Sequence, residues 1–256
     1  MLIEDLKGKV CLITGASRGI GAAVALGLGR SGMHLGVHYN TGAALAASVR
    51  DGVEAAGGEA FLLQGDIAVP GTMERLLAET VAQYGRLDIL INNAGDLIER
   101  RLITETPDTL FEQQVAINMR PVFAGCRAAV AQFRGQGSGG VIINLSSVAA
   151  RTGGGGGSSL YAASKAFVAT FTRALAKEVA AEGIRVNAVS PGVIATPLQD
   201  RTTSPEQQEA ARRQIPMGRI GAADECVGAF LFLCSERLSS YVTGQIIEVN
   251  GGLVMP

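Results

Sequence analysis

The stretch Lys9-Val-Cys-Leu-Ile-Thr14-Gly15-Ala-Ser-Arg-Gly19-Ile-Gly21 joins a short apolar strand to a glycine-rich turn, and a helical pattern follows it through Arg30. Gly15 permits the turn, Gly19 lets the backbone approach a phosphate, and Gly21 lets the helix pack closely on the strand. The free amides and the dipole of the helix would then face a pyrophosphate. A glycine triplet is weak evidence in a chain with 34 glycines, but its place at the first strand–helix junction favours a dinucleotide site over an ordinary turn.

Beyond this unit, apolar strand patterns alternate with helical patterns along the 256 residues. The alternation predicts a doubly wound α/β fold, with a mostly parallel seven-stranded sheet and helices on both faces. We expect ligands beyond the carboxyl ends of the strands, where the strand order reverses. No Pro-rich or Ser-rich linker divides the chain, so residues 1–256 are predicted to form a single domain. The strands are predicted at 9–14, 33–38, 60–65, 87–91, 140–145, 184–190 and 245–249.

The composition restricts the classes of partner. The chain is 47% hydrophobic and 18% charged with a net charge of −1, so nothing attracts nucleic acid or an anionic membrane over long range. The first residues lack the features of a signal peptide, and the apolar stretch at 227–234 is far shorter than the ~20 residues of a membrane span. We therefore expect a cytoplasmic protein that acts on a small molecule. The four cysteines show no CxxC spacing and are predicted to be buried free thiols, and no metal site is predicted.

A candidate catalytic group lies in Tyr161-Ala-Ala-Ser-Lys165, within a helical pattern that continues to about Ala181. The four-residue spacing places Tyr161 and Lys165 on one face of that helix. A tyrosine with a pKa near ~10 needs about 4 kcal/mol of phenolate stabilisation to act as a base near pH ~7. A nearby lysine and a positively charged nicotinamide could supply that stabilisation.

Ser147 follows the apolar strand pattern at 140–145, so it is expected at the carboxyl end of a strand, where it could donate a hydrogen bond to a substrate oxygen. Ser146 is the alternative donor. Tyr161 and Lys165 alone would be equally compatible with a surface tyrosine beside a solvated lysine. The serine and the glycine turn together favour catalysis.

These motifs resemble the short-chain dehydrogenase/reductase family over essentially the whole chain. The resemblance implies a single Rossmann-like domain and, together with the apolar helical patterns at 109–134 and 160–182, a homotetramer. One departure concerns spacing, since Ser147 stands fourteen residues before Tyr161 where thirteen is common, and we place the extra residue in the polyglycine run 153–157. The motifs are TGASRGIG at 14–21, Asp66-Ile67, NNAG at 92–95, Asn118, Ser147, YAASK at 161–165 and PGVIAT at 191–196.

The resemblance also implies roles for individual residues. Tyr161 would be the general acid/base, Lys165 would lower its pKa and hold the nicotinamide ribose, and Ser147 would orient the substrate. Asn118 would organise a proton-relay water. Asp66 would contact the adenine and Thr196 the carboxamide. The predicted cofactor-binding residues are Gly15, Ser17, Arg18, Gly19, Ile20, Gly21, Tyr39, Asn40, Thr41, Asp66, Ile67, Asn93, Ala94, Gly95, Tyr161, Lys165, Pro191, Gly192, Ile194 and Thr196.

NADP(H) is predicted over NAD(H). An NAD site usually has an acidic residue at the end of the second strand, and here Tyr39 occupies that position. No Asp or Glu appears between positions 32 and 49. Arg18 could bind a 2′-phosphate, and Asn40 and Thr41 could add polar contacts.

The predicted function is an oxidoreductase that transfers a hydride between NADP(H) and a carbonyl or secondary alcohol. The carboxy-terminal half looks like the 3-oxoacyl-carrier-protein reductase branch, although Lys177 is the available basic residue and 135–140 contains none. A sugar or polyol dehydrogenase and a nicotinamide-sensing regulator are the alternatives. We expect the substrate to be selected by loops 96–106, 151–160 and 197–216. His34 and His38 are predicted to have packing or surface roles.

Overall fold

A computed structural model describes residues 3–255 of the chain. Seven strands form one sheet in the order β3-β2-β1-β4-β5-β6-β7, and every neighbouring pair is parallel. The predicted α/β fold is confirmed, with a sheet that is entirely rather than mostly parallel. The strands are β1 (Val10–Ile13), β2 (His34–Tyr39), β3 (Glu59–Gln64), β4 (Ile89–Asn92), β5 (Gly140–Leu145), β6 (Ile184–Pro191) and β7 (Ile246–Val249).

Helices cover both faces of this sheet, and each face has its own apolar core. One core joins α1, α2 and α10 to the sheet through side chains such as Leu28, Val53 and Phe230, and the other joins α3, α5 and α7 through Leu76 and Phe133. The helices are α1 (Gly19–Gly29), α2 (Ala43–Ala55), α3 (Thr72–Tyr84), α4 (Asp108–Asn118), α5 (Arg120–Gln136), α6 (Ala149–Thr152), α7 (Ser159–Val179), α8 (Pro197–Thr202), α9 (Pro205–Gln214), α10 (Val227–Cys234) and α11 (Glu236–Ser239).

The helical pattern at 109–134 forms two helices and not one. α4 ends at Asn118, and α5 begins at Arg120 with Pro121 in its first turn. Proline has no N–H and clashes with a preceding helical turn, so it suits the start of a new helix and not the middle of a long one. The break places Asn118 at the carboxyl end of α4. The pattern at 160–182 forms α7, which ends at Val179, followed by a 3-10 turn at Ala180–Glu182.

The strand order reverses beside β1, whose two neighbours are β2 and β4. Loops that leave the carboxyl ends of β1 and β4 therefore run in opposite directions, and a crevice opens between them. The four cysteines are buried free thiols, and burial raises the pKa of Cys126 to about 12. Within residues 3–255, no helix is long and apolar enough to cross a membrane, and no cluster of three or more His, Cys, Asp or Glu is placed to hold a metal ion.

Candidate active site

The glycine turn between β1 and α1 forms one wall of the crevice. Gly15 and Gly19 have positive φ values of 64° and 58°, which side-chain-bearing residues rarely adopt. A Cβ atom at Gly21 would lie 2.4 Å from the carbonyl oxygen of Gly15 and 2.5 Å from Nδ2 of Asn93. Gly21 thus packs against the turn itself and against Asn93. At these glycines, the backbone itself forms the surface beside the start of α1.

The segment after β4 is tied to this turn by a set of buried hydrogen bonds. Oγ1 of Thr14 accepts the N–H groups of Asn93 and Ala94, both at 3.0 Å. Nδ2 of Asn93 donates to the carbonyl oxygens of Thr14 at 2.8 Å and Gly15 at 3.0 Å. Because each partner comes from a different side of the strand reversal, these bonds fix the width of the crevice.

His38 holds the same turn from the other side, next to β2. Its Nδ1 accepts the N–H of Gly15 at 3.0 Å, and its Nε2 lies 3.0 Å from the carbonyl oxygen of Gly65. Burial lowers the pKa of His38, which favours the neutral ring with the proton on Nε2. Of the packing or surface roles predicted for His38, this is a packing role, and no pattern in the sequence indicated its contact with the turn.

A cleft of about 420 Å³ lies beside the turn and contains most of the predicted cofactor residues. Tyr39 is half-buried and lies outside the cleft lining, because successive side chains of a strand point to opposite faces and His38 takes the inner position. The predicted residues that line the cleft are Gly15, Ser17, Arg18, Gly19, Ile20, Gly21, Asn40, Thr41, Asp66, Ile67, Asn93, Ala94, Gly95 and Thr196.

A second cavity of about 540 Å³ adjoins this cleft, and Ile20, Leu145, Thr196 and Leu198 line both. The remaining predicted residues except Tyr39, Lys165 and Asn118 line this second cavity, namely Ser147, Tyr161, Pro191, Gly192 and Ile194. The three loops expected to select the substrate all contribute to its walls. We call it the substrate-side cavity.

Lys165 is buried and lines neither cavity. Its side chain is 4% exposed, and Nζ donates to the carbonyl oxygen of Leu145 at 2.8 Å. Nζ also lies 5.7 Å from the centre of the Tyr161 ring. Burial lowers the pKa of Lys165 to about 8, because a charged ammonium loses its hydration there.

Tyr161 faces the substrate-side cavity from α7. Burial raises the pKa of its phenol, and the Asp96 carboxylate adds to the rise. The Ser147 hydroxyl and the Arg100 guanidinium act in the opposite direction. The lowering of this pKa by Lys165 stays a prediction from the sequence. The phenol is therefore protonated near neutral pH, which is the form that can donate a proton.

The two candidate serines after β5 have different partners. Oγ of Ser146 donates to the carbonyl oxygen of Lys165 at 3.0 Å and is buried. Oγ of Ser147 accepts the N–H of Ala149 at 3.1 Å, which leaves its own proton free for another acceptor. Ser146 therefore anchors β5 to α7, and Ser147 is the hydroxyl that can donate into the cavity.

Asn118 lies at the end of α4 with 1% of its surface exposed. Nδ2 donates to the carbonyl oxygen of Asp96 at 2.7 Å, and Oδ1 accepts the N–H of Asp96 at 3.0 Å. A Cβ atom at Gly95 would lie 2.6 Å from Oδ1 of Asn118 and 3.1 Å from Nζ of Lys165. Asn118 and Lys165 therefore flank the same glycine, and any larger residue at Gly95 would separate them from the crevice.

Two arginines that sequence reasoning missed join the loops around the substrate-side cavity. Arg201 of α8 pairs with Asp96 and donates to the carbonyl oxygen of Ile98 at 3.2 Å. Nε of Arg100 donates to the carbonyl oxygen of Thr202 at 2.7 Å. No periodicity or spacing signals such contacts, because the partners are about a hundred residues apart in the chain.

Comparisons with known proteins agree with this architecture. Residues 15–254 match the family model described as enoyl-(acyl carrier protein) reductase. The chain is 38% identical over 259 residues to 3beta-hydroxysteroid dehydrogenase 1 of Eggerthella lenta, an alignment that covers 99% of this chain and 97% of that protein. It is 37% identical over 250 residues to the 3-oxoacyl-[acyl-carrier-protein] reductase of Synechocystis, with 98% of each protein covered.

A solved structure shows the same fold at full length. The NADH-dependent reductase A1-R' responsible for alginate metabolism superposes with a TM-score of 0.91 at 34% identity, covering 99% of this chain and 100% of that one. These relatives differ in the substrates that their names state.

Proposed function

Because the chain belongs to the short-chain dehydrogenase/reductase family, in its 3-oxoacyl-carrier-protein reductase-like branch, we propose that it transfers a hydride between NADP(H) and a carbonyl or secondary alcohol. We also propose that residues 1–256 work as one domain that binds the cofactor and carries the catalytic groups. The observation behind this proposal is the position of Tyr161 and Ser147 on a cavity that adjoins the glycine-turn cleft.

The residues around the cleft fit a dinucleotide. The start of α1 presents amide groups without helical partners, and the glycine surface lets a phosphate approach them. Asp66, Asn93 and Thr196 add polar groups along the cleft. When bound, the nicotinamide supplies or accepts the hydride. The chain itself handles the proton and the position of the substrate.

In the direction of carbonyl reduction, the phenol of Tyr161 donates a proton to the substrate oxygen while Ser147 donates a hydrogen bond to the same atom. In the direction of alcohol oxidation, the phenolate accepts the proton, so this rate should rise with pH because the pKa of Tyr161 is raised. Lys165 would hold the ribose next to the nicotinamide, and Lys165 and Asn118 would together pass the proton on. These steps assign Tyr161 as the general acid/base and Asn118, Ser147 and Lys165 as its partners.

We propose NADP(H) because of the charges around the end of β2. Arg18 is exposed at the turn, and its Nη2 would lie 3.0 Å from a Cβ atom at Gly42, beside Asn40 and Thr41. This supports NADP(H), because a cation at this rim could bind the 2′-phosphate of the ribose. A preference for NADH is the alternative outcome of the test, since one similar solved structure is an NADH-dependent reductase.

The test is a spectrophotometric panel of ketones, acyl thioesters and sugars, assayed with NADPH and with NADH at the nicotinamide absorbance. We expect consumption of NADPH with at least one carbonyl, and no consumption when Tyr161 is replaced by phenylalanine. A wild-type protein that binds NADPH and reduces none of the panel would support the nicotinamide-sensing alternative.

A second candidate is the reduction of a 3-oxoacyl group on an acyl carrier protein, which the name of the Synechocystis relative favours. The acidic carrier would need basic residues near β5 and on α7. Lys177 of α7 is exposed, whereas Arg134 at the end of α5 is paired with Glu182 at 2.6 Å. Faster reduction of acetoacetyl-carrier protein than of acetoacetyl-pantetheine would support this candidate.

We further propose a homotetramer. Phe111 of α4 and Phe123 of α5 are 50% and 45% exposed. Phe123 contacts Phe171 of α7 edge-on at 6.3 Å, and Phe171 stacks on Phe167. An exposed aromatic surface of this kind on three helices is typical of an interface between subunits. Sedimentation equilibrium at micromolar concentration would show a mass four times that of the chain, and a monomer would contradict the proposal.

A further inference from the structure

Arg100 is the one charged side chain among the described residues that line the substrate-side cavity. It extends from the loop after β4 and is half-buried. The rest of the lining consists of apolar side chains, glycines, hydroxyls and glutamines. A single cation in an otherwise neutral cavity strongly favours the binding of an anionic ligand.

The contacts of Arg100 leave its charge uncompensated. Nε donates to the carbonyl oxygen of Thr202 at 2.7 Å, Nη1 to that of Gly156 at 3.2 Å, and Nη2 to Oγ1 of Thr203 at 3.4 Å. All three acceptors are neutral, and a guanidinium carries five N–H donors, so two remain available. These bonds hold the side chain in place and do not neutralise it.

The nearby acidic side chains are already committed to other arginines. Asp96 pairs with Arg201, and Glu99 pairs with Arg101 at 3.0 Å. Arg101 is exposed and does not line the substrate-side cavity. A neutral substrate would leave the Arg100 charge partly desolvated without a counter-charge, which is unfavourable.

Arg100 is also close to the reacting group. Its charge acts on the phenol of Tyr161 and lowers the pKa of that phenol. Arg100 and Tyr161 both line the substrate-side cavity, so a molecule held there by Arg100 shares that cavity with the proton donor. The cavity of about 540 Å³ is large enough for a small organic acid.

We propose that the substrate of this site is a carbonyl compound, or the corresponding alcohol, that carries a carboxylate, and that Arg100 binds this carboxylate. The inference rests on the proposed function and names the class of substrate. Arg100 acts as a specificity-determining residue, and the two donors that remain suit the two oxygens of a planar carboxylate. A phosphate has the same charge preference, and the experiment separates the two.

The experiment compares matched acids and esters that differ only in charge. The pairs are pyruvate, acetoacetate and levulinate with their methyl esters, and dihydroxyacetone phosphate with dihydroxyacetone serves for phosphate. With NADPH and with NADH, we expect wild-type kcat/KM to be about ten- to a hundredfold higher for at least one acid than for its ester, as for a charge-assisted pair. Preference for the phosphate alone, or equal rates for acid and ester, would overturn the inference.

The variants separate a charge effect from a loss of loop structure. Arg100→Gln should lower kcat/KM for the acid at least about tenfold more than it lowers kcat/KM for the ester, because the loop contacts of Arg100 serve both substrates and its charge pairs only with the acid. Arg100→Lys should recover part of the acid rate, and Arg101→Gln, which removes a neighbouring exposed charge, should change neither. An equal fall for acid and ester in Arg100→Gln would mean that Arg100 only ties the loops together, which contradicts the inference.

Calorimetric titration of the acids into the protein with NADP⁺ separates this inference from the proposed function. An acid that binds the wild type and not Arg100→Gln supports the carboxylate site even if no carbonyl is reduced, in which case the proposed activity is wrong. No acid binding to the wild type, together with turnover of a neutral carbonyl, would overturn the carboxylate site and leave the proposed activity standing.

Discussion

The two cavities of the crevice are built by different means. One wall of the glycine-turn cleft is the turn after β1, where Gly15 and Gly21 pack closely against each other. The substrate-side cavity is formed by three loops that Arg100 and Arg201 join across about a hundred positions of sequence. Backbone packing shapes the turn side of the first cavity, and side-chain contacts between distant loops shape the second. A binding surface made of backbone tolerates little change in sequence, whereas loops can vary and alter what binds.

The largest effect is expected from Tyr161, the proposed general acid/base on the substrate-side cavity. Tyr161→Phe removes one oxygen and keeps the ring, so the fold and both cavities should remain. We expect turnover to fall by about a thousandfold or more, because proton transfer by a placed side chain contributes roughly 10²–10⁴-fold. Turnover by absorbance and NADPH affinity by fluorescence titration are the measurements.

Unchanged NADPH affinity is the control for Tyr161→Phe. If the phenylalanine variant kept most of its turnover, the assignment of Tyr161 as general acid/base would be wrong. If NADPH affinity fell as far as turnover, the substitution would have affected cofactor binding in the cleft as well as proton transfer in the substrate-side cavity.

A single methyl group added at Gly21 should disrupt the glycine turn that forms one wall of the cleft. In Gly21→Ala the added Cβ meets the Gly15 carbonyl oxygen at 2.4 Å, and neither backbone segment can move freely. We expect the free energy of unfolding to fall by roughly 3 kcal/mol, together with weaker binding of both NADPH and NADH. Denaturant unfolding and cofactor titration check this.

Gly228→Ala in α10 is the matched control, because nothing lies within 4 Å of the added Cβ there and φ is not positive. An exposed helical alanine should leave stability unchanged or raise it by up to about 1 kcal/mol. Equal losses in the two variants would mean that the tight contact at Gly21 is not what limits the cleft.

Removal of the Arg18 charge at the rim of the same cleft should have a smaller effect, and one that is selective for NADPH. Arg18→Ala should weaken NADPH binding by about 1.5 to 3 kcal/mol, roughly ten- to a hundredfold, and leave NADH binding nearly unchanged. Titrations of both cofactors into the two proteins measure this. Equal losses for both cofactors, or a wild type that favours NADH, would contradict the NADP(H) assignment.

The smallest effect is expected from the buried Lys165, on the pH dependence of folding stability. The pKa of Lys165 is lowered to about 8 in the folded chain, against about 10.5 when unfolded. Between pH ~8 and pH ~10.5 the unfolded chain binds more protons than the folded chain, so folding stability rises with pH. Below pH ~8 the full cost of the buried charge is present. This contribution should amount to about 1 kcal/mol between pH 8 and pH 9.

Urea unfolding of the wild type and Lys165→Met at pH 8 and pH 9 isolates this contribution, because the other titrating groups are common to both. We expect the wild type to gain about 1 kcal/mol relative to the variant over that interval. A parallel pH dependence in the two proteins would show that the buried ammonium is not destabilised.

Much of the cleft was predictable from sequence because its determinants are local. A glycine that must adopt positive φ, as Gly15 does, leaves a mark in the sequence itself, and the apolar period of β1 places it at the end of a strand. The four-residue spacing of Tyr161 and Lys165 likewise fixes their helix face. The break between α4 and α5 was missed although Pro121 marks it.

The sequence by itself determined the alternation of strands and helices, the glycine turn and the placement of Tyr161 and Lys165 on one helix, because each depends on backbone geometry over a few residues. Only the tertiary structure decided that His38 holds the turn, that Ser146 anchors α7 while Ser147 remains free, and that Arg100 stands alone in a neutral cavity. These features depend on which distant loops meet, and the burial that sets the charge and pKa of each group exists only once the chain has folded.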